Sequence, residues 1–195
     1  MSRTTTVTGW CSAVGGLAWT AACLVHNSQP AGCIDEGCVG HAMRNSSAAD
    51  SALFAIAGVL LAASCAGLLV LARAVRPLGR VGAAAAVAGG LGLALLAGAE
   101  VMSVVDGNWG GMPGLVVPGV LALVVGLVLV AAVVLRSRVL PPALSALVLA
   151  TALLLPFANE QTSRVLLAVP FGLVWLATGA FLVAGAASRR AARAA

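Results

Sequence analysis

From His26 to His41 the chain reads His26-Asn-Ser-Gln-Pro-Ala-Gly-Cys33-Ile-Asp35-Glu36-Gly-Cys38-Val-Gly-His41, which puts two thiols, two imidazoles and two carboxylates within sixteen residues. Thiolate and imidazole are the ligands that suit zinc or copper. The spacing of Cys33, Cys38 and His41 nevertheless matches no strong zinc pattern. In an oxidising compartment a Cys33–Cys38 disulfide is the simpler use of both thiols. A bridge across four residues is sterically reasonable when Gly37 helps the turn. Free or redox-active thiols are a third reading, but the pair is not C-x-x-C, so thioredoxin-like chemistry gains little support. Cys11, Cys23 and Cys65 read as small apolar packing residues. Cys23, at the end of an apolar stretch, has the further option of pairing with a loop thiol.

A second set is scattered along the chain. Glu100 stands inside an apolar stretch, where ionisable groups are costly and often mark an ion or proton path. Arg164 opens another such stretch at a helix start, where the dipole disfavours a cation. Glu160 offers it a local surface partner, whereas Glu100 or Asp106 would close a polar pocket beside Trp109. The candidate pocket is therefore Glu100, Asp106, Arg164 and Trp109. The glycines of Asp106-Gly-Asn-Trp109-Gly-Gly-Met-Pro113 follow no strand and carry no nucleotide-binding meaning. Trp109 and Trp10 read as interfacial anchors. No catalytic residue, cofactor site or metal-ligand set is expected.

Composition closes off several mechanisms. All eleven basic residues are arginine, and there is neither lysine nor tyrosine. Without lysine there is no retinal or pyridoxal Schiff base and no P-loop. The two histidines both lie outside the apolar runs, which removes a haem held between intramembrane imidazoles. The arginine-only basic set and the heavy use of Ala, Val, Leu and Gly are typical of GC-rich bacterial coding.

The elements that position these residues follow from hydropathy. Apolar residues make up 61% of the 195 and charged residues 9%, with a mean hydropathy of +1.07. A soluble domain carries about 25% charge, and a globule this small cannot hide so much apolar surface from water. Crossing ~30 Å of hydrocarbon takes about 20 helical residues. Six stretches meet or approach that length: residues 5–25, 51–73, 81–105, 115–135, 139–157 and 164–187. Lipid offers no partner to an open backbone, so the spans must be helices. The expected fold is all-α, a single membrane domain over residues 1–195. It has six transmembrane helices, one long outer loop (residues 26–50) between the first two, and a basic tail (188–195). A signal peptide ending near Ala21–Ala22 is the rival reading of the first stretch.

Charge placement orients the bundle. With the N-terminus in the cytoplasm, nine of the eleven arginines fall inside, and all six acids fall outside with Arg44 and Arg164. Arginine in short loops sets topology, so both termini are cytoplasmic and the location is a bacterial plasma membrane. Arg73, Arg76 and Arg80, with the tail Arg189, Arg190 and Arg193, are expected to meet anionic lipid headgroups. The basic balance therefore does not imply nucleic-acid binding.

Local signals mark the boundaries. Asp50 is placed as the N-cap of the second span, Pro141 and Pro142 in the first turn of the fifth, and Pro156 at its end. Thr162 or Ser163 caps the sixth, and Pro170 is expected to kink it. In the third span Gly82, Ala86, Gly90, Ala94 and Gly98 recur every four residues, a small-residue ridge that lets another backbone approach. The ridge reads as a helix buried at the centre of its bundle, or else as a seam with a second copy or a membrane partner protein. Residues 115–135 read as a lipid-facing helix. No inverted repeat is evident.

These observations point to a non-enzymatic accessory, sensory or protective membrane subunit. The alternatives are a small-cation or small-solute transporter with an acidic outer entrance, and an outward-facing metal or thiol enzyme built on the long loop.

Overall fold

The computed structural model describes residues 2–32, 44, 47–105 and 111–194, and every regular element among them is helical. The long helices are α1 (Ser2–Asn27), α2 (Ala48–Val75), α3 (Gly79–Val105), α4 (Met112–Ser137) and α6 (Val169–Ala194), with a short α5 (Pro142–Ala152) before α6. Five helices are long and apolar enough to cross a membrane.

The expected fifth span is the exception. Its α-helix is only 11 residues, about 17 Å long, and a 3-10 turn, Leu155–Phe157, follows. Proline explains both ends. Pro141 and Pro142 pre-set the first turn, while Pro156 has no N–H with which to continue the ladder.

The sixth stretch also departs from expectation. A 3-10 segment, Ser163–Ala168, precedes α6, so Pro170 falls in the first turn of the α-helix instead of kinking its middle. Proline is tolerated there because that N–H has no intrahelical partner. Where the two helix types meet, the Ala168 carbonyl accepts the Trp19 indole N–H at 2.9 Å. Thr162 caps the 3-10 segment, its hydroxyl accepting from the Arg164 amide at 3.2 Å.

The contacts gather into two compact units, residues 1–67 with 157–195, and residues 68–156. In the first, α1 and α6 run antiparallel along a glycine seam. A Cβ on Gly16 would strike the Gly172 carbonyl and one on Gly179 would strike the Ala13 amide, backbone against backbone. Lipid supplies no hydrophobic drive between helices, so such close approach is what holds them. Ser12 adds a buried hydrogen bond to the Trp175 carbonyl at 2.7 Å. The first part of α2 lies antiparallel to α1, with Gly67 against Thr8 and Leu60 and Leu61 against Gly15.

In the second unit α3 and α4 are antiparallel. The seam runs through Gly92 against the backbone of Leu123, Gly126 against Gly89, and Gly119 against Leu95 and Leu96. The every-fourth-residue ridge lies elsewhere. Ala86, Gly90 and Ala94 are exposed, Gly90 has open space beyond its Cα, Gly82 meets only Leu78 of the adjoining turn, and Gly98 makes an ordinary 3.7 Å contact with Leu115. Only 17% of the α3 span is buried, against 39% of α4. The more enclosed helix of this unit is thus α4, which the sequence had suggested would face lipid.

Candidate functional site

The polar chemistry of the first unit collects where α1 ends and α2 begins. The first turn of α2 starts at Ala48, with Ser47 as its cap: the Ser47 hydroxyl accepts from the Asp50 amide at 3.3 Å and donates to Asp50 Oδ1 at 2.7 Å. Ser47 thus caps the helix through the Asp50 amide while its hydroxyl is held by the Asp50 carboxylate, and Asp50 stands three residues inside the cap position expected for it.

Capping leaves the Asp50 carboxylate free to turn toward α1. Its Oδ2 meets His26 Nδ1 at 2.5 Å and accepts from the Gln29 amide group at 3.2 Å. Oδ1 takes a second bond from the Ser51 amide at 3.1 Å. Four partners fill the lone-pair directions of a carboxylate. His26 and Asp50 are both almost fully buried, with side chains 3% and 1% exposed. The other imidazole nitrogen, Nε2, faces the Glu160 carbonyl at 3.1 Å. The imidazole thus faces a carboxylate oxygen on one side and a backbone carbonyl on the other, both of them acceptors.

Arg44 completes the cluster. Nε donates to the Pro30 carbonyl at 3.1 Å, and Nη1 donates to the carbonyls of Glu160 at 3.1 Å and Thr162 at 3.3 Å. Its own amide donates to Gln161 Oε1 at 2.7 Å, and the Gly32 amide donates to the Gln161 carbonyl at 2.9 Å. This arginine is only 8% exposed and is bound by backbone dipoles. The planar guanidinium fork suits several carbonyls at once, as an ammonium does not.

Below the cluster is an aromatic floor. Trp19 stacks edge-on to Phe54 and Phe171, both at 5.4 Å, His26 lies 6.3 Å from Phe54, and Phe171 lies 6.0 Å from Trp175. Edge-to-face packing of this kind is the favoured geometry of aromatic pairs.

Among the described residues the cluster is largely self-satisfied: both ring nitrogens of His26 and both oxygens of Asp50 are engaged, and Nε and Nη1 of Arg44 are given to carbonyls. Among the described residues no group of three or more His, Cys, Asp or Glu is placed to hold a metal ion.

The sequence-derived candidates are distributed differently. His26, read there as one of a metal-like set, is the centre of the tie. Cys33, Asp35, Glu36, Cys38 and His41 lie outside the described residues, as do Asp106, Trp109 and the side chain of Glu100. Arg164 is exposed, and among the described residues no ion pair joins it to Glu160. The part of Glu160 that the cluster uses is its carbonyl. Cys11, Cys23 and Cys65 carry free thiols, with Cys23 fully buried. Arg44, Gln161 and the His26–Asp50 contact were missed. The available signal was the S-x-x-D spacing of Ser47 and Asp50.

Against family models, curated proteins and solved structures alike, the chain finds no match.

Proposed function

We propose that this chain is a six-span integral protein of a bacterial plasma membrane, with both ends cytoplasmic, that works by contact and not by catalysis, as an accessory, sensory or protective subunit. The observation that carries the non-enzymatic part is the closure of the His26–Asp50–Arg44 cluster. General acid–base or metal chemistry needs a group within hydrogen-bond reach of a substrate, and here both ring nitrogens of His26, both carboxylate oxygens of Asp50, and Nε and Nη1 of Arg44 already face fixed internal partners. The cluster ties residues 30–32, 44 and 159–162 to the ends of α1 and α2, and so holds the base of the loop that carries Cys33 and Cys38.

Helix direction supports the sixth crossing. Since α1 and α6 are antiparallel, the number of crossings is even. The α3–α4 pair is also antiparallel and cancels itself, which leaves residues 139–157 to make the remaining pass. From Pro142 to Phe157 a helix would reach about 24 Å, and a few flanking residues close the difference to ~30 Å. The excess of arginine at the inner segments gives the orientation.

The test is labelling of Cys33 and Cys38 with a membrane-impermeant maleimide in intact cells, before and after reduction. Labelling from outside is the expected result, and it should require reduction if the two are bridged. Thiols that react only after permeabilisation would overturn the orientation. His26→Gln then addresses the mode of action. Stability and biological activity should decline together, whereas a stable protein with abolished activity would argue for catalysis.

A further inference from the structure

The second unit has a recess of about 130 Å³ lined by Arg76, Pro77 and Leu78 of the α2–α3 turn, Val81 of α3, and Val133, Arg136 and Ser137 of α4. Sixty positions separate Arg76 from Arg136, yet both residues line the same space. We infer that this recess is a binding site for the phosphate of an anionic phospholipid, with the acyl chains lying over Leu78, Val81 and Val133. The inference rests on the membrane reading given above.

The local charge balance favours an anion. Arg73, Arg76, Arg80, Arg136 and Arg138 all belong to this unit and all are exposed. Its only acids are Glu100 and Asp106, and Glu100 is twenty residues up α3 from Arg80, about 30 Å away. Over that distance screening leaves almost no compensation. No acid occupies the first turn of α3 either, so its free amides add positive potential at the same end. Arg136 in the last turn of α4, and Arg138 as its cap, offset the partial negative charge of that terminus.

The shape of the recess selects the source of the phosphate. Its volume is well below the ~300 Å³ at which drug-sized pockets begin, which is enough to seat a phosphate group. Leu78, Val81 and Val133 supply an apolar wall beside the two arginines. Ser137 donates its hydroxyl to the Val134 carbonyl at 3.1 Å, so the cationic contacts fall to the guanidiniums, which match phosphate oxygens in pairs. A free inorganic phosphate would make no use of the apolar wall, whereas a lipid uses both parts.

The experiment takes the full-length protein in detergent and measures exchange of phosphatidylglycerol and phosphatidylcholine by native mass spectrometry. Phosphatidylglycerol is expected to be retained preferentially. Arg76→Gln/Arg136→Gln should weaken that retention about thirtyfold, while Arg73→Gln/Arg80→Gln, with the same loss of charge but neither residue lining the recess, should weaken it clearly less. Arg76→Lys/Arg136→Lys, which keeps the charge and loses the fork, should fall between the two. Equal retention of both lipids, or equal loss in the two glutamine pairs, would overturn the site. So would displacement of the lipid by millimolar inorganic phosphate, which would mark a free-anion pocket. Carbonate extraction of the same membranes separates the two claims. A protein that stays embedded but has no lipid preference fails only here, and one that is extracted fails the membrane reading itself.

Discussion

His26 and Asp50 are 24 positions apart in the chain, yet their side chains meet at 2.5 Å with both residues shielded from solvent. The contact joins the last turn of α1 to the first turn of α2. It is strong because each partner has its remaining valences filled: the carboxylate by Gln29, Ser47 and Ser51, the imidazole by Glu160. A buried ion pair adds stability only when the rest of its hydrogen bonds are met.

Breaking one side of that pair is therefore expected to cost more than removing both. Asp50→Ala or His26→Ala should each destabilise by about 3–5 kcal/mol, since each leaves an uncompensated buried group. His26→Leu/Asp50→Leu should cost clearly less than the sum of the two single leucine variants. Thermal unfolding in detergent measures all of these, and strict additivity would show that the two side chains do not interact.

Arg44 is held by three carbonyls from two segments. Arg44→Met should lower stability by about 1.5–3 kcal/mol, the usual worth of hydrogen bonds to a charged group. Arg44→Lys should recover little, because one ammonium cannot span the same carbonyls. Hydrogen exchange should quicken at the Gly32 amide, whose acceptor is the Gln161 carbonyl, and stay unchanged in the middle of α1.

The two glycine seams make a contrast within each unit. Gly16→Leu and Gly92→Leu drive a side chain into facing backbone, and each should destabilise by about 1–3 kcal/mol or prevent folding. Gly58 and Gly90 face open space, so Gly58→Ala and Gly90→Ala should lie within about 1 kcal/mol of the parent or improve on it. Melting temperature and the yield of monodisperse protein distinguish the two classes.

Trp19 joins the aromatic floor to the start of α6. Trp19→Phe keeps a ring against Phe54 and Phe171 but abandons the Ala168 carbonyl. A loss of about 1 kcal/mol is expected from that orphaned acceptor, larger than for Trp10→Phe at an exposed position. Equal losses at the two sites would mean that the indole hydrogen bond carries no weight.

By itself the sequence determined what depends on composition and period. The long apolar stretches had to become helices because lipid leaves no other way to satisfy a backbone. Thr162 as a cap and the proline-bounded start of α5 were legible because those signals act within one turn. What depends on direction around a helix was not legible. Small residues at every fourth position of α3 look like a seam, but glycine is frequent in that helix, and the choice among Gly82–Gly98, Gly89 and Gly92 was made by the shape of α4. The same holds for the polar cluster. His26, Arg44, Asp50 and Gln161 are far apart in the chain, and only the antiparallel packing of α1, α2 and α6 brings their atoms within hydrogen-bond reach. Burial then makes that meeting obligatory, since any one of them left without a partner away from water would cost more than the helix ends can supply.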